Sequence, residues 1–302
     1  MVVNNAMVTG MSLGQRFLAV DWGTTNRRVF LIEDGAVVAT ERDDRGVKAL
    51  AADAYPAEVA AIRARMGDLP MLLAGMVGSS IGWQVAPYVA APAGVEELAA
   101  ALVRVDARTA IVPGVSLVEQ GRADVMRGEE VQLVGAVAAG LAPADSLLVQ
   151  PGTHCKWVDM TAGRITGFTT AMTGELFALL RGHSILSAQL SHTVSADTDF
   201  RQGVEDGKRR DLAASLFGIR SAMLMGLREE AASASYCSGL LIGADVAARL
   251  ANSRHDTIYL LADPVLGALY AAAIEAHGRA ATLVDSHAAF VAGINAIERL
   301  TA

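Results

Sequence analysis

Apolar and polar positions change period several times along the chain, and each change marks an element. Phe17 to Val20 is a short apolar run entering a Gly/Thr turn, and Val29 to Ile32 is a second run of strand character. Glu33-Asp34-Gly35 is a hairpin signal, followed by a third strand at Ala36 to Thr40. Pro56 with Val59, Ile62 and Met66 predicts an amphipathic helix, and Met71 to Ala74 predicts a strand running into Gly75. A similar order returns after residue 145. Ser146 to Val149 is apolar, Gly152-Thr153 turns, Lys156 to Met160 reads as a strand, Ala162-Gly163 turns again, and Ile165 to Thr169 closes the set before a helix from Gly174. Placing Gly23 on Gly152 puts Thr24 on Thr153 and Arg27 on Lys156, an offset of 129; the turn glycines Gly35 and Gly163 then agree within one residue. Two copies of one plan suggest two related domains, against the alternative of two unrelated hairpins.

The remainder is less periodic. Ser187 to Asp206 is polar and reads as a loop or lid. Leu212 to Glu230 and Ser238 to Leu250 are helix candidates, Thr257 to Leu261 is a strand, and Leu266 to Ala276 is a helix. Thr282 to Val284 and a helix from His287 end the chain. The longest uncharged stretch, Leu69 to Val95, is broken by Gly75, Gly78, Gly82, Pro87 and Pro92 and has no basic flank, so it reads as strand, loop and buried turn rather than a membrane helix. Residues 1–16 lack the basic start and apolar block of a signal peptide and read as a loose leader, with Met7 or Met11 as alternative starts.

Composition narrows the function classes. Of 302 residues, 52% are apolar and 19% charged, which is globular and not disordered. A net charge of -7 without a long basic run argues against nucleic acid as a partner, while leaving room for a locally positive pocket. Cys155 and Cys237 are far apart and form no CxxC pattern, which fits a reducing, cytoplasmic setting.

Several polar runs could carry chemistry. Asp21-Trp22-Gly23-Thr24-Thr25-Asn26 lies between two predicted strands. Gly23 lets backbone N–H groups approach a phosphate, Thr24, Thr25 and Asn26 add short donors, and Asp21 at the strand end is placed to hold Mg²⁺ through water; an ordinary β-turn is the alternative. Gly152 and Thr153 form a second such loop, with His154 and Lys156 as added donors; no acid precedes this glycine, and Lys156 could simply face solvent. Met126-Arg127-Gly128-Glu129-Glu130 is a turn and helix start. Its carboxylates either stabilise the first helical turn or supply a general base for phosphoryl transfer to a hydroxyl. Gly75-Met76-Val77-Gly78-Ser79 with Trp83 suits close approach to a small polyol or, equally, a core turn. Thr173-Gly174-Glu175 is either a helix cap or a substrate contact.

Taken together these runs resemble the 2-dehydro-3-deoxygalactonokinase family, within the wider actin/hexokinase/Hsp70 group of ATP-binding proteins. The resemblance rests on Asp21 to Asn26 with Arg28, Ala74 to Ser79 with Gly82-Trp83, Met126 to Glu130, Pro151 to Trp157, Met172 to Leu176 and Ser238 to Ala244, and covers roughly residues 15–300. It implies an α/β protein of two ribonuclease H-like domains, residues 16–140 and 141–302 after a leader at 1–15, with ATP and Mg²⁺ in the cleft between them. It implies transfer of the γ-phosphoryl group to the 6-hydroxyl of 2-dehydro-3-deoxy-D-galactonate, in cytoplasmic galactonate breakdown.

By position, Asp21 matches the acid that organises Mg²⁺, Gly152 and Thr153 match the second phosphate loop, and Glu129, with Glu130 close behind, stands where related sugar kinases carry the base. Arg28, Gly75, Met76, Gly78, Ser79, Trp83, Thr173 and Glu175 fall on the sugar side. Asp263 stands where a glycine-containing adenosine loop is usual and would lie near the adenine or ribose. The partner implied is a small sugar acid; no nucleic acid and no membrane are expected, and a homodimer is one option that the sequence leaves open. A similar Gly-Glu-Glu run occurs in exopolyphosphatases, so a phosphohydrolase is the competing enzyme class. A non-catalytic sugar-sensing repressor is a third class, and the leader is too short for its DNA-binding helices.

Overall fold

The computed structural model describes residues 14–209 and 211–301, so most of the expected leader lies outside the described residues. In chain order the first elements are β1 (Arg16–Trp22), β2 (Arg27–Glu33), β3 (Ala36–Asp43), α1 (Tyr55–Met66) and β4 (Met71–Gly75). They are followed by β5 (Val89–Ala90), α2 (Val95–Ala100), β6 (Val103–Asp106), β7 (Thr109–Ile111), β8 (Val115–Glu119), β9 (Arg122–Met126) and α3 (Glu129–Ala138). The second half holds β10 (Ser146–Gln150), β11 (Cys155–Thr161), β12 (Arg164–Ala171), α4 (Thr173–His183), α5 (Thr198–Gly207), α6 (Leu212–Leu224) and α7 (Ser233–Leu250). Last come β13 (Thr257–Leu261), α8 (Pro264–Ala276), β14 (Ala280–Val284) and α9 (Ser286–Arg299).

Residue contacts divide this mixed α/β chain into two units. One comprises Met1–Asp145, Met160–Gly167 and Ser286–Ala302; the other comprises Ser146–Asp159 and Phe168–Asp285. The terminal helix α9, counted above with the C-terminal domain, thus groups with the first unit, where its Phe290 stacks on Phe30 of β2 at 5.4 Å.

The first unit carries a six-stranded sheet of order β3-β2-β1-β4-β7-β6, and the second a five-stranded sheet of order β12-β11-β10-β13-β14. In each, the strand opening the set pairs in parallel with the strand after the hairpins, β1 with β4 and β10 with β13. Shifted by 129, both ends of β1, β2 and β3 fall within one residue of β10, β11 and β12. The tight turns match as well. Asp34 and Gly35 have φ of 51° and 79°, Ala162 and Gly163 have 50° and 76°, and a two-residue turn with both central residues left-handed suits the twist of the flanking strands. The repeat read from the sequence is therefore a repeat of strand order over four strands, of strand ends and of turn type.

Helices cover the sheets through close contacts at small residues. In the first unit a Cβ on Gly135 of α3 would lie 1.9 Å from the Ala289 carbonyl of α9, and one on Gly293 would lie 2.0 Å from the Val131 carbonyl. In the second unit Gly203 of α5 and Gly239 of α7 meet the opposing backbone in the same way, at 2.2 and 2.0 Å. This pairing explains a correction: the segment expected as a loop or lid, Ser187 to Asp206, contains most of α5. Asp197 caps it by accepting from the Phe200 N–H at 2.8 Å, and its buried face is Phe200, Gly203, Val204 and Gly207. Two of those four positions are glycine, so the helical period is present in space but faint in hydropathy. Residues Glu230–Leu250, around α7, are long and apolar enough to cross a bilayer, yet 72% of that apolar window is buried inside the fold.

Candidate active site

The carboxyl ends of the parallel strands β1 and β4 bring together Asp21, Trp22 and Gly75, whose backbones pair in register. Gly75 and Gly128 both have positive φ, 97° and 104°, and a Cβ on Gly128 would lie 3.0 Å from the Gly75 Cα. Only glycine tolerates both the conformation and the approach. That contact sets the start of α3, with Glu129 and Glu130 in its first turn, beside the end of β1.

The three carboxylates sense one another. Burial pushes the Asp21 carboxyl up to about 6; Arg28, opposite it on β2, pulls the other way, and Glu129 adds to the rise. Glu130 is fully buried, and burial, reinforced by Glu129, pushes it up to about 8. Its Oε2 accepts from the Gly128 N–H at 2.7 Å, while Oε1 is buried without a partner among the described residues. Glu129 accepts from the Arg127 N–H at 2.9 Å. At neutral pH Glu130 therefore holds a proton, which lowers the cost of burying it beside two other acids.

The first loop is shaped by a segment the sequence did not single out. The carbonyls of Gly23, Thr24 and Thr25 accept from the N–H groups of Val47, Lys48 and Gly46 at 3.0, 3.1 and 3.3 Å. In a trans peptide the N–H points away from its carbonyl, so the amides of Thr24, Thr25 and Asn26 face away from that segment. Gly23 N–H closes the turn on the Asn26 carbonyl at 2.9 Å. Amides turned outward in succession are donors of the kind that phosphate oxygens accept from.

The expected sugar-side loop is only partly at this point. Gly75 is. Met76 and Gly78 form a short helical turn closed by Ser79, whose hydroxyl donates to the Met76 carbonyl at 2.7 Å. Trp83 stacks on Tyr55 at 5.9 Å with planes 7° apart, and Tyr55 meets Trp22 at 5.4 Å. These rings belong to the core cluster with Val20, Val59 and Ile62, whereas Asp21 and Arg28 alternate to the opposite face of the sheet.

In the second unit Gly152 and Thr153 lean on the start of α4. A Cβ on Gly174 would lie 2.3 Å from the Gly152 carbonyl, and the Glu175 N–H donates to the Thr153 carbonyl at 2.9 Å. His154 Nε2 and Glu175 Oε2 pair at 2.6 Å, so these two predicted contacts act on each other. Lys156 is buried, not turned to solvent, and its ammonium donates to the Thr170 hydroxyl at 2.8 Å. Thr173 and the Trp157 indole both donate to Asp245 Oδ2, at 3.1 and 3.0 Å, and burial raises the Asp245 carboxyl. Asp245 escaped the sequence reading because a single acid on an apolar helix carries no local signal. Asp263 caps α8, its Oδ1 accepting from the Val265 and Leu266 N–H groups at 3.0 and 3.1 Å.

Residues 21–297 match the family described as 2-keto-3-deoxy-galactonokinase. The chain is 38% identical over 291 residues to the 2-dehydro-3-deoxygalactonokinase of Escherichia coli K12, covering 95% of this chain and 99% of that one. A crystal structure of a Sinorhizobium meliloti protein, provisionally given the same activity by name, superposes with a TM-score of 0.87 at 36% identity, covering 94% of this chain and 98% of the other. A match of this extent, running through every loop described above, shows that the chain belongs to the 2-keto-3-deoxy-galactonokinase family of sugar-acid kinases.

Proposed function

We propose that this protein transfers the γ-phosphoryl group of ATP to the 6-hydroxyl of 2-dehydro-3-deoxy-D-galactonate, giving 2-dehydro-3-deoxy-6-phospho-D-galactonate in cytoplasmic galactonate catabolism. The observation that carries this reading is the division of labour among three carboxylates at the ends of β1 and β4. Burial raises Glu130 to about 8, so at neutral pH it is mostly protonated and is the less available acceptor. Glu129 is the neighbour left to accept the proton of the attacking hydroxyl. Asp21 makes no hydrogen bond through its carboxylate among the described residues and suits a magnesium ion that arrives with the nucleotide. Such an ion takes one or two carboxylates and fills its remaining positions with phosphate oxygens and water, and supplies neutralisation of the developing phosphate charge.

The outward amides of Thr24, Thr25 and Asn26 support contact with nucleotide phosphates. In this reading the Gly152-Thr153 loop binds the same nucleotide, and the two units share a ribonuclease H-like plan, for which the common sheet order is the support. Catalysis is then mostly positioning and charge stabilisation. The test is ADP release with ATP, Mg²⁺ and a panel of 2-dehydro-3-deoxy sugar acids. The galacto acid should raise ADP production well above background. No acceptor effect, with steady phosphate release instead, would replace the kinase by a phosphohydrolase.

A further inference from the structure

The β2–β3 ladder carries two consecutive arginines, and its two faces treat them oppositely. On one face Arg27 stands opposite Asp43 and is compensated twice, by Asp43 at 2.6 Å and Glu58 at 3.0 Å. On the other face Arg28 stands opposite Arg42. Like charges directly opposite on neighbouring strands repel. Neither guanidinium makes a hydrogen bond or ion pair among the described residues. Burial, and then the charge of Arg42, pull the proton affinity of Arg28 down against the help of Asp21. Both arginines line a groove of about 690 Å³ under α9, whose walls include Phe30, Val37, Val291 and Ala292. That volume suits a small metabolite.

The repeated hairpin shows that the fold does not need this charge. With Gly23 placed on Gly152, Asp21, Arg28 and Arg42 fall on Gln150, Trp157 and Ala171, a row without a formal charge. In a chain of net charge -7, two arginines side by side at a groove, with Asp21 opposite Arg28 and no ion pair on Arg42 among the described residues, call for an anion.

We propose that Arg28 and Arg42 form a carboxylate clamp, with the C1 carboxylate of the sugar acid between the two guanidinium groups and its far hydroxyl directed toward Asp21 and Glu129. Asp21, Arg28 and Arg42 lie on one row across three adjacent strands, two strand spacings or about 10 Å from end to end. An extended six-carbon acid fits along such a row, with the apolar groove wall beside its carbon chain. The clamp makes Arg42 the residue that selects an acid over a neutral sugar. This rests on the kinase reading above.

The experiment compares 2-dehydro-3-deoxy-D-galactonate with its uncharged carboxamide by titration calorimetry on the wild type, Arg42→Gln and Arg42→Lys, alongside ADP release. Arg42 is exposed on an edge strand, so both variants should fold. The expected result is a loss of about 10–100-fold in acid affinity in Arg42→Gln, partial recovery in Arg42→Lys, and unchanged carboxamide affinity. An acid affinity within twofold of wild type in Arg42→Gln, or equal losses for acid and carboxamide, overturns the clamp. If wild-type protein neither binds the acid nor releases ADP with it, the kinase reading itself falls, and the clamp with it.

Discussion

The two Gly-Thr loops sit at equivalent places in repeated sheets, yet they carry opposite electrostatics. The first ends β1 on Asp21, beside Arg28, Glu129 and a buried Glu130 whose Oε1 has no partner among the described residues. The second ends β10 on Gln150. Its nearby buried acid, Asp245, is held by Trp157 and Thr173. Its exposed polar side chains, His154 and Glu175, pair with each other at 2.6 Å. The same backbone frame thus supports a charged row in one unit and a row without formal charge in the other, where the buried Gln150 Oε1 likewise accepts no hydrogen bond among the described residues. Uncompensated burial is costly and is retained where chemistry uses it. In the proposed reading the first loop carries the chemical step and the second positions the nucleotide.

The largest expected effect breaks this contrast at the first loop. Asp21→Asn and Glu129→Gln should each lower kcat by about 100-fold or more while leaving the circular dichroism spectrum unchanged. At the second loop, His154→Gln should change kcat by less than about tenfold, acting mainly on the KM for ATP. Equal losses in kcat at both loops would remove the proposed division.

The next effect is in pH. Asp21 must be ionised to serve a cation, and burial pushes its carboxyl up to about 6 in the free protein. The kcat/KM, which reports the free enzyme, should therefore fall as pH drops through about 6, approaching tenfold per pH unit below it. An acid limb near the ordinary carboxylate range, around pH 4, would show that Asp21 is not the titrating group.

A smaller effect is expected behind the second loop. Asp245→Asn leaves an acceptor for Trp157 and Thr173 but changes what the second oxygen offers, whereas Asp245→Ala removes both bonds. Thermal unfolding should show Asp245→Ala less stable by about 1–3 kcal/mol and Asp245→Asn much closer to wild type. In both variants the KM for ATP should move more than kcat, because Thr173 opens the helix on which Gly152 and Thr153 rest.

How far these features were legible in the sequence follows from where their signals lie. The hairpins, their turns and the repeat were readable because alternation and Gly-containing turns are local. So was the grouping of Asp21 with Glu129, through motif resemblance. Helix α5 was not, since glycines replace apolar residues on its buried face and only the partner helix shows why. Trp83 was read as a sugar-facing ring, but an aromatic beside glycines cannot announce which side of a sheet it packs on. Arg42 was invisible for another reason. Its meaning lies in the strand register that sets it opposite Arg28, and register is a property of two segments together.

The remaining effect, on stability and not on turnover, concerns Glu130 and sharpens the contrast between a buried acid and its uncharged counterpart loop. Its carboxyl is raised from about 4.5 in the unfolded chain to about 8 in the fold. Between those values the folded state binds more protons than the unfolded one. Stability from this group is thus complete below about pH 4.5 and is lost as pH rises through about 8. Glutamine keeps an acceptor for the Gly128 N–H and has no such titration. Glu130→Gln should match the wild-type Tm near pH 4.5 and exceed it increasingly up to about pH 8, by on the order of ten degrees at most. The contribution of Asp21 is common to both proteins and cancels in the difference to first order. A Tm difference that stays flat across this range would mean that Glu130 is ionised in the fold, and the assignment of the base to Glu129 alone would lose its basis.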